Sequence, residues 1–129
     1  MKKFALIASI SGLLAVALGA FAAHGLQGKV EPGLLDVWRT AVQYQMFHSL
    51  ALLALASANP SGSSKWLHGT CWSWVAGIVV FSGSLYLLVI TGMAKLGMVT
   101  PVGGVGFLLG WLLLIIWLIK DSGPRGRKQ

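Results

Sequence analysis

Four long apolar stretches separated by short polar segments dominate the chain. They cover residues 4–24, 34–58, 66–91 and 101–119. A helix needs about 20 mainly apolar residues to cross a bilayer, and each stretch is close to that length. The pattern predicts an all-α fold, an integral membrane bundle of four transmembrane helices in up-down-up-down order. These helices form a single domain over residues 1–119.

Helix-ending residues occupy the polar segments between the stretches. Gly25 is a plausible stop for the first helix, and Pro32 suits the first turn of the second. Residues 59–65 contain Asn, Pro, Gly and Ser and predict a tight turn. Thr100 and Pro101 suit the N-cap and first position of the fourth helix.

The first apolar stretch resembles a secretory signal peptide. It follows Lys2 and Lys3 and ends near the small-x-small sequence at residues 20–22. Signal cores contain about 7–15 apolar residues, and this stretch is longer. We therefore expect the first helix to remain as a membrane span.

Composition supports a membrane protein, with 56% hydrophobic residues, 10% charged residues and a mean hydropathy of +0.77. A soluble domain carries about 25% charged residues. The net charge is +7, but the cations flank apolar stretches instead of forming a groove with aromatic residues. This placement favours the lipid bilayer as partner and argues against nucleic acid.

The distribution of cations predicts the orientation. The first and third connections carry only Lys29, Arg39 and Lys95. Cytoplasmic segments are enriched in Lys and Arg, so both termini are expected in the cytoplasm, together with residues 120–129 as a disordered tail. The N-terminus, the second connection and the C-terminal tail carry seven cations: Lys2, Lys3, Lys65, Lys120, Arg125, Arg127 and Lys128.

Small residues recur at helical spacing in two places, and such faces let membrane helices approach closely. The first set comprises Ala8, Gly12, Ala15, Gly19, Ala22 and Ala23, and the second comprises Gly69, Ser73, Gly77 and Ser84.

The second helix carries polar groups that need partners at membrane depth. Gln45, His48 and Ser49 lie on adjacent turns, and Trp38 is expected to anchor the helix at the interface. The expected partners of His48 are Gln45 or Tyr44 on its own helix and Ser82, Ser84 or Tyr86 on the third. The topology predicts a polar cluster in the outer half of the bundle, formed by His24, Gln43, Gln45, His48, Ser84 and Tyr86.

This cluster has two interpretations. One is a buried hydrogen-bond network that fixes helix register. The other is a ligand cavity or a narrow path for a neutral or weakly charged solute. Metal or haem ligation is not expected, because His24, His48 and His68 lie at different depths. No cofactor and no enzymatic activity are expected either, since no Ser-His-Asp set can form within the membrane.

Several segments resemble a known family of small bacterial inner-membrane proteins, the domain-of-unknown-function 423 family, also called uncharacterised protein family 0382. Eukaryotic transmembrane protein 256 looks like a distant relative. The resemblance implies a four-helix protein of the bacterial inner membrane without an established activity. The matching segments are Gly19-Ala20-Phe21-Ala22-Ala23-His24-Gly25-Leu26, Trp38-x-Thr40-Ala41-Val42-x-Tyr44-Gln45-Met46-x-His48-Ser49-Leu50-Ala51, Gly83-Ser84-Leu85-Tyr86 and Thr100-Pro101-x-Gly103-Gly104.

Pattern and resemblance together indicate a structural or accessory membrane component that self-associates as a homo-oligomer or supports a larger membrane complex. The alternative is a small channel or transporter that uses the polar cluster.

Overall fold

The computed structural model describes residues 1–121, which form helices joined by short turns and contain no strand. This confirms the predicted all-α class. Residues 122–129 of the predicted tail lie outside the described residues, whereas residues 120 and 121 continue the last helix. The α-helices are α1 (Lys2–Phe21), α2 (Pro32–Ala58), α3 (Lys65–Gly77), α4 (Gly83–Thr91) and α5 (Thr100–Asp121).

Helices α3 and α4 are parts of one rod joined by a π-helical segment, Ile78–Ser82. A second π segment, Ala22–Leu26, continues α1. A π segment widens the helix locally and changes which side the following residues face. The predicted third stretch is therefore not one regular α-helix. The rod ends at Gly92, whose φ of 69° is the left-handed conformation typical of glycine after a helix.

Within residues 1–121, three helical segments are long and apolar enough to cross a membrane. They are Lys2–Leu26, Lys65–Thr91 and Ala94–Lys120, with mean hydropathies of 2.3, 2.0 and 2.5. Helix α2 has 27 residues but is not among them. Its charged first turns and its central amides and imidazole lower its hydropathy.

The helices pack antiparallel in the order α1, α2, the α3–α4 rod and α5. Ser11 early in α1 contacts Ser49 late in α2, whereas Leu18 late in α1 contacts Trp38 early in α2. Helix α2 therefore runs antiparallel to α1, and its polar side chains are close to both α1 and the rod.

Trp38 belongs to the core, so its expected role as an interface anchor is wrong. It is only 2% exposed. Its indole Nε1 donates to the Leu18 carbonyl of α1 at 2.9 Å, and its ring lies 4.6 Å from that of Tyr86. The hydrogen bond satisfies the one polar atom of the side chain, which permits full burial.

Glycines allow α5 to approach the rod closely. A Cβ on Gly106 would lie 3.3 Å from the Ser73 carbonyl oxygen and 3.4 Å from Gly77. A Cβ on Gly103 would overlap the backbone of Phe81. The predicted packing of the second small-residue set is confirmed at Gly77, where a Cβ would meet the Phe107 ring at 2.5 Å.

The prediction that the first small-residue set packs closely against other helices is only partly correct. Ala8, Ala15 and Ala22 are buried against neighbouring helices. A Cβ on Gly12, however, would meet nothing within 4 Å. Gly12 therefore faces outward, and the expectation that it lies in a close contact between helices is wrong.

The two glycines make a matched pair for testing this packing. We expect Gly77→Leu to lower the free energy of unfolding by about 1–3 kcal/mol or more, because the added side chain overlaps Phe107. Gly12→Leu should be nearly neutral because the space is open. Unfolding in a denaturing-detergent titration measures both. Equal destabilisation by the two variants would contradict the close α3–α5 contact.

Candidate functional site

The polar side chains of α2 face two different neighbours. Gln45 and Ser49 are four residues apart and share a face, which lies against α1 and α4. His48 and Tyr44, also four apart, occupy the adjacent face beside α5. The helix thus separates a polar network on one side from an aromatic cluster on the other.

Gln45 is the centre of the polar network and is 5% exposed. Its amide Nε2 donates to the Ser11 carbonyl of α1 at 2.9 Å. Its Oε1 accepts from the Tyr86 hydroxyl of α4 at 2.7 Å. One side chain on α2 therefore joins three helices.

Two serines extend the network. The Ser49 hydroxyl lies 2.7 Å from the Ser11 hydroxyl and 2.7 Å from the Gln45 carbonyl oxygen. On the π segment, Ser82 donates to the Ala41 carbonyl at 2.7 Å. Each contact satisfies a polar atom that would otherwise be costly at membrane depth. The network therefore holds α1, α2 and the rod in one register.

His48 uses both ring nitrogens. Nδ1 lies 2.8 Å from the Tyr44 carbonyl oxygen, and Nε2 lies 3.2 Å from Trp111 Nε1 on α5. A carbonyl only accepts and an indole N–H only donates. His48 is therefore neutral, with its proton on Nδ1 and its Nε2 accepting from Trp111.

The aromatic cluster surrounds His48. The imidazole stacks on Phe107 with ring centroids 3.7 Å apart and planes 13° apart. The rings of Trp74 and Trp111 are 4.8 Å apart. These contacts between uncharged rings join α2 to the rod and to α5. The cluster consists of Tyr44, His48, Trp74, Phe81, Phe107 and Trp111.

Two open cavities lie beside this cluster, with volumes of about 410 and 540 Å³. Tyr44, His48 and Trp111 line both. Tyr44 is 41% exposed and Trp111 is 44% exposed. The cavities face outward between α2 and α5, so they present an aromatic surface to the surroundings.

The six residues predicted to form one polar cluster do not come together. Gln45 and Tyr86 bond each other directly, but His48 faces α5. Ser84 bonds Thr100 at 2.7 Å. Gln43 is exposed on α2, and His24 is exposed in the π segment after α1. The predicted single cluster is therefore wrong in composition.

The requirement that His48 bonds a neighbour is confirmed, but only Tyr44 of the expected partners is correct, through its backbone. The sequence did not predict two of the partners in these polar contacts, Trp111 and Ser11. Ser11 is one of two serines in the apolar helix α1, and a hydroxyl in such a helix is a signal that a partner is needed. The indole N–H of Trp111 gives no such signal, because the pairing depends on helix rotation.

Residues 1–121 contain no group of three or more His, Cys, Asp or Glu side chains able to hold a metal ion. Cys71 is fully buried among apolar residues.

Comparison with known proteins identifies the family. The family described as "Protein of unknown function (DUF423)" matches residues 18–104. A UPF0382 membrane protein of Staphylococcus aureus is 46% identical over 95% of this chain and 100% of its own length. The UPF0382 membrane protein YwdK of Bacillus subtilis is 46% identical over 93% of this chain and 98% of its own. No solved structure matches the chain. The chain thus belongs to the DUF423 family, and its relatives are membrane proteins of uncharacterised function.

Proposed function

We propose that the protein is a structural or accessory membrane component without enzymatic activity, built from four membrane-spanning helices. One observation carries the proposal: the buried polar side chains of α2 bond other side chains or the backbone. Gln45, His48 and Tyr86 each have a partner within the chain. Groups committed in this way stabilise a fixed arrangement of helices.

The proposal makes α2 the fourth span. Its 27 residues extend about 40 Å at 1.5 Å per residue, which exceeds a hydrocarbon thickness of about 30 Å. Its buried polar side chains, Gln45, His48 and Ser49, are paired inside the protein, which lowers the cost of placing them in hydrocarbon. Near its start, Arg39 and Asp36 lie 3.6 Å apart and are both exposed, as expected for an interfacial turn.

The proposed orientation places both termini in the cytoplasm of a bacterial cell, with the helices in the inner membrane. Its support is the cations at one end. The Lys3 ammonium lies over the Trp72 ring at 5.2 Å, and the Lys120 ammonium lies over the Trp66 ring at 4.7 Å. Cations and tryptophans at the same level are typical of a membrane interface.

A partner in the membrane, either a second copy or a subunit of a larger complex, is part of the proposal. Exposed aromatic side chains beside the two open cavities support it, including Phe47 at 60% exposure. Aromatic residues are enriched where proteins contact each other.

A small channel or transporter is the second candidate. A conducting path needs polar groups that are free to replace water around the solute. The polar groups of the network already form hydrogen bonds within the protein. Both cavities beside His48 are mainly apolar. The structural role is therefore favoured.

Labelling of the turns on either side of α2 tests the four-span arrangement. Gln27→Cys and Ser63→Cys, in a Cys71→Ala background, should lie on opposite sides of the membrane. We expect an impermeant thiol reagent to label position 27 from outside intact cells and to leave position 63 unlabelled. Labelling of both positions from outside would mean that α2 does not span.

Solute flux distinguishes the structural role from conduction. Proteoliposomes containing the wild-type protein should swell in glycerol at the rate of protein-free vesicles, as measured by light scattering. The His48→Gln variant, which retains a donor and an acceptor, should show the same rate. Faster swelling with wild type that is lost in a normally folded His48→Gln variant would contradict the structural role.

A further inference from the structure

A polar cavity lies at the basic end of the molecule, away from the polar network and the aromatic cluster. It has a volume of about 350 Å³ and lies between the α2–α3 turn and the last turns of α5. Hydroxyl and amide side chains provide most of its polar surface, and Trp117 of α5 contributes an indole ring. The lining residues are Asn59, Ser61, Gly62, Ser63, Ser64, Leu67 and Trp117.

The lining offers hydrogen-bond donors. Ser61 and Ser63 are exposed, and each hydroxyl has a proton to donate. Asn59 uses one of its two amide hydrogens to bond the Leu55 carbonyl at 3.1 Å and retains the other. Helix α3, 13 residues long, begins at the cavity with Ser64 as its N-cap. The first turn of a helix presents backbone N–H groups and partial positive charge.

Trp117, which lines the cavity, carries a hydrogen-bond donor that has no acceptor within residues 1–121. The residue is only 9% exposed, and its Nε1 is buried without a hydrogen-bond partner in the described part of the chain. An indole N–H can only donate. A buried donor without an acceptor is costly, so an acceptor bound in the cavity would remove that cost.

Two lysines are close in the chain to lining residues: Lys65 follows Ser64, and Lys120 lies three residues after Trp117. The ammonium groups of Lys65 and Lys120 lie 5.4 and 4.7 Å from the centre of the Trp66 ring. Both lysines are exposed. Glu31 and Asp36 belong to the opposite end of α2, and Asp121 follows Lys120 as the acidic residue at this end. The charge around the cavity therefore favours an anion.

We propose that this cavity binds a phosphate group. Phosphate oxygens accept hydrogen bonds from hydroxyl, amide and indole donors, which the lining contains, and nearby ammonium groups attract their charge. The volume leaves room for a group attached to the phosphate. In the orientation proposed above this end faces the cytoplasm, so the phosphate belongs either to an anionic lipid of the inner leaflet or to a soluble anion. The site does not depend on a structural or a conducting role for the protein.

Thermal unfolding of the purified protein in a neutral detergent tests the proposal. Phosphatidylglycerol and inorganic phosphate are titrated separately, with phosphatidylcholine and chloride at equal ionic strength as controls. A ligand that binds only the folded state raises Tm with concentration. We expect a saturating rise with at least one of the two phosphate ligands and none with chloride.

Variants locate the effect. Lys65→Gln combined with Lys120→Gln should weaken the apparent affinity by about tenfold or more, as should Trp117→Phe, which keeps a ring but removes the N–H. Lys95→Gln, an exposed lysine at the other end of α5, is the matched control and should leave the affinity unchanged.

Each outcome decides the proposal. A Tm rise with phosphatidylglycerol that is lost in the cavity variants supports a lipid headgroup, and the same pattern with inorganic phosphate supports a soluble anion. Absence of a rise with both ligands overturns the proposal. A rise that survives in the cavity variants, or that Lys95→Gln reduces equally, also overturns it because general charge attraction would explain it.

Discussion

The arrangement of α1, α2 and the α3–α4 rod depends on the side-chain amide of Gln45. An amide left unpaired in hydrocarbon costs several kcal/mol, and each end of this amide finds its partner on a different helix, Ser11 on α1 and Tyr86 on α4. A rotation or a one-turn shift of α2 would leave the Gln45 amide and the Tyr86 hydroxyl unpaired. The bonds therefore specify register more than they add stability, since each contributes only about 0.6–2 kcal/mol in a membrane.

Helix α5 is attached by a different physical principle. Gly103 and Gly106 remove side chains from its contact with the rod, so dispersion between closely spaced backbones provides the attraction. The His48–Trp111 hydrogen bond and the stacking of His48 on Phe107 then link α5 to α2. The same chain thus combines a polar attachment on one side of α2 with a small-residue and aromatic attachment on the other.

The sequence predicted the helices well and the site only partly. Apolar length predicts a helix because hydrocarbon requires every backbone group to be paired. The topology also placed Gln45 and Tyr86 in one polar cluster, and these two side chains do bond. It failed for Gly12 and His48, because the direction that a helix face takes depends on its neighbours. The π segment Ile78–Ser82 alters the phase between α3 and α4, which a regular repeat of 3.6 residues cannot predict.

The central claim is that Gln45 and Tyr86 bond each other across helices within the membrane. A double-mutant cycle with Gln45→Leu and Tyr86→Phe, read as free energies of unfolding in lipid-like micelles, tests it most directly. Tyr86→Phe retains the ring against Trp38 and removes only the hydroxyl. We expect a coupling free energy of about 0.6–2 kcal/mol between the two positions. Additive effects, with coupling below about 0.3 kcal/mol, would contradict the account.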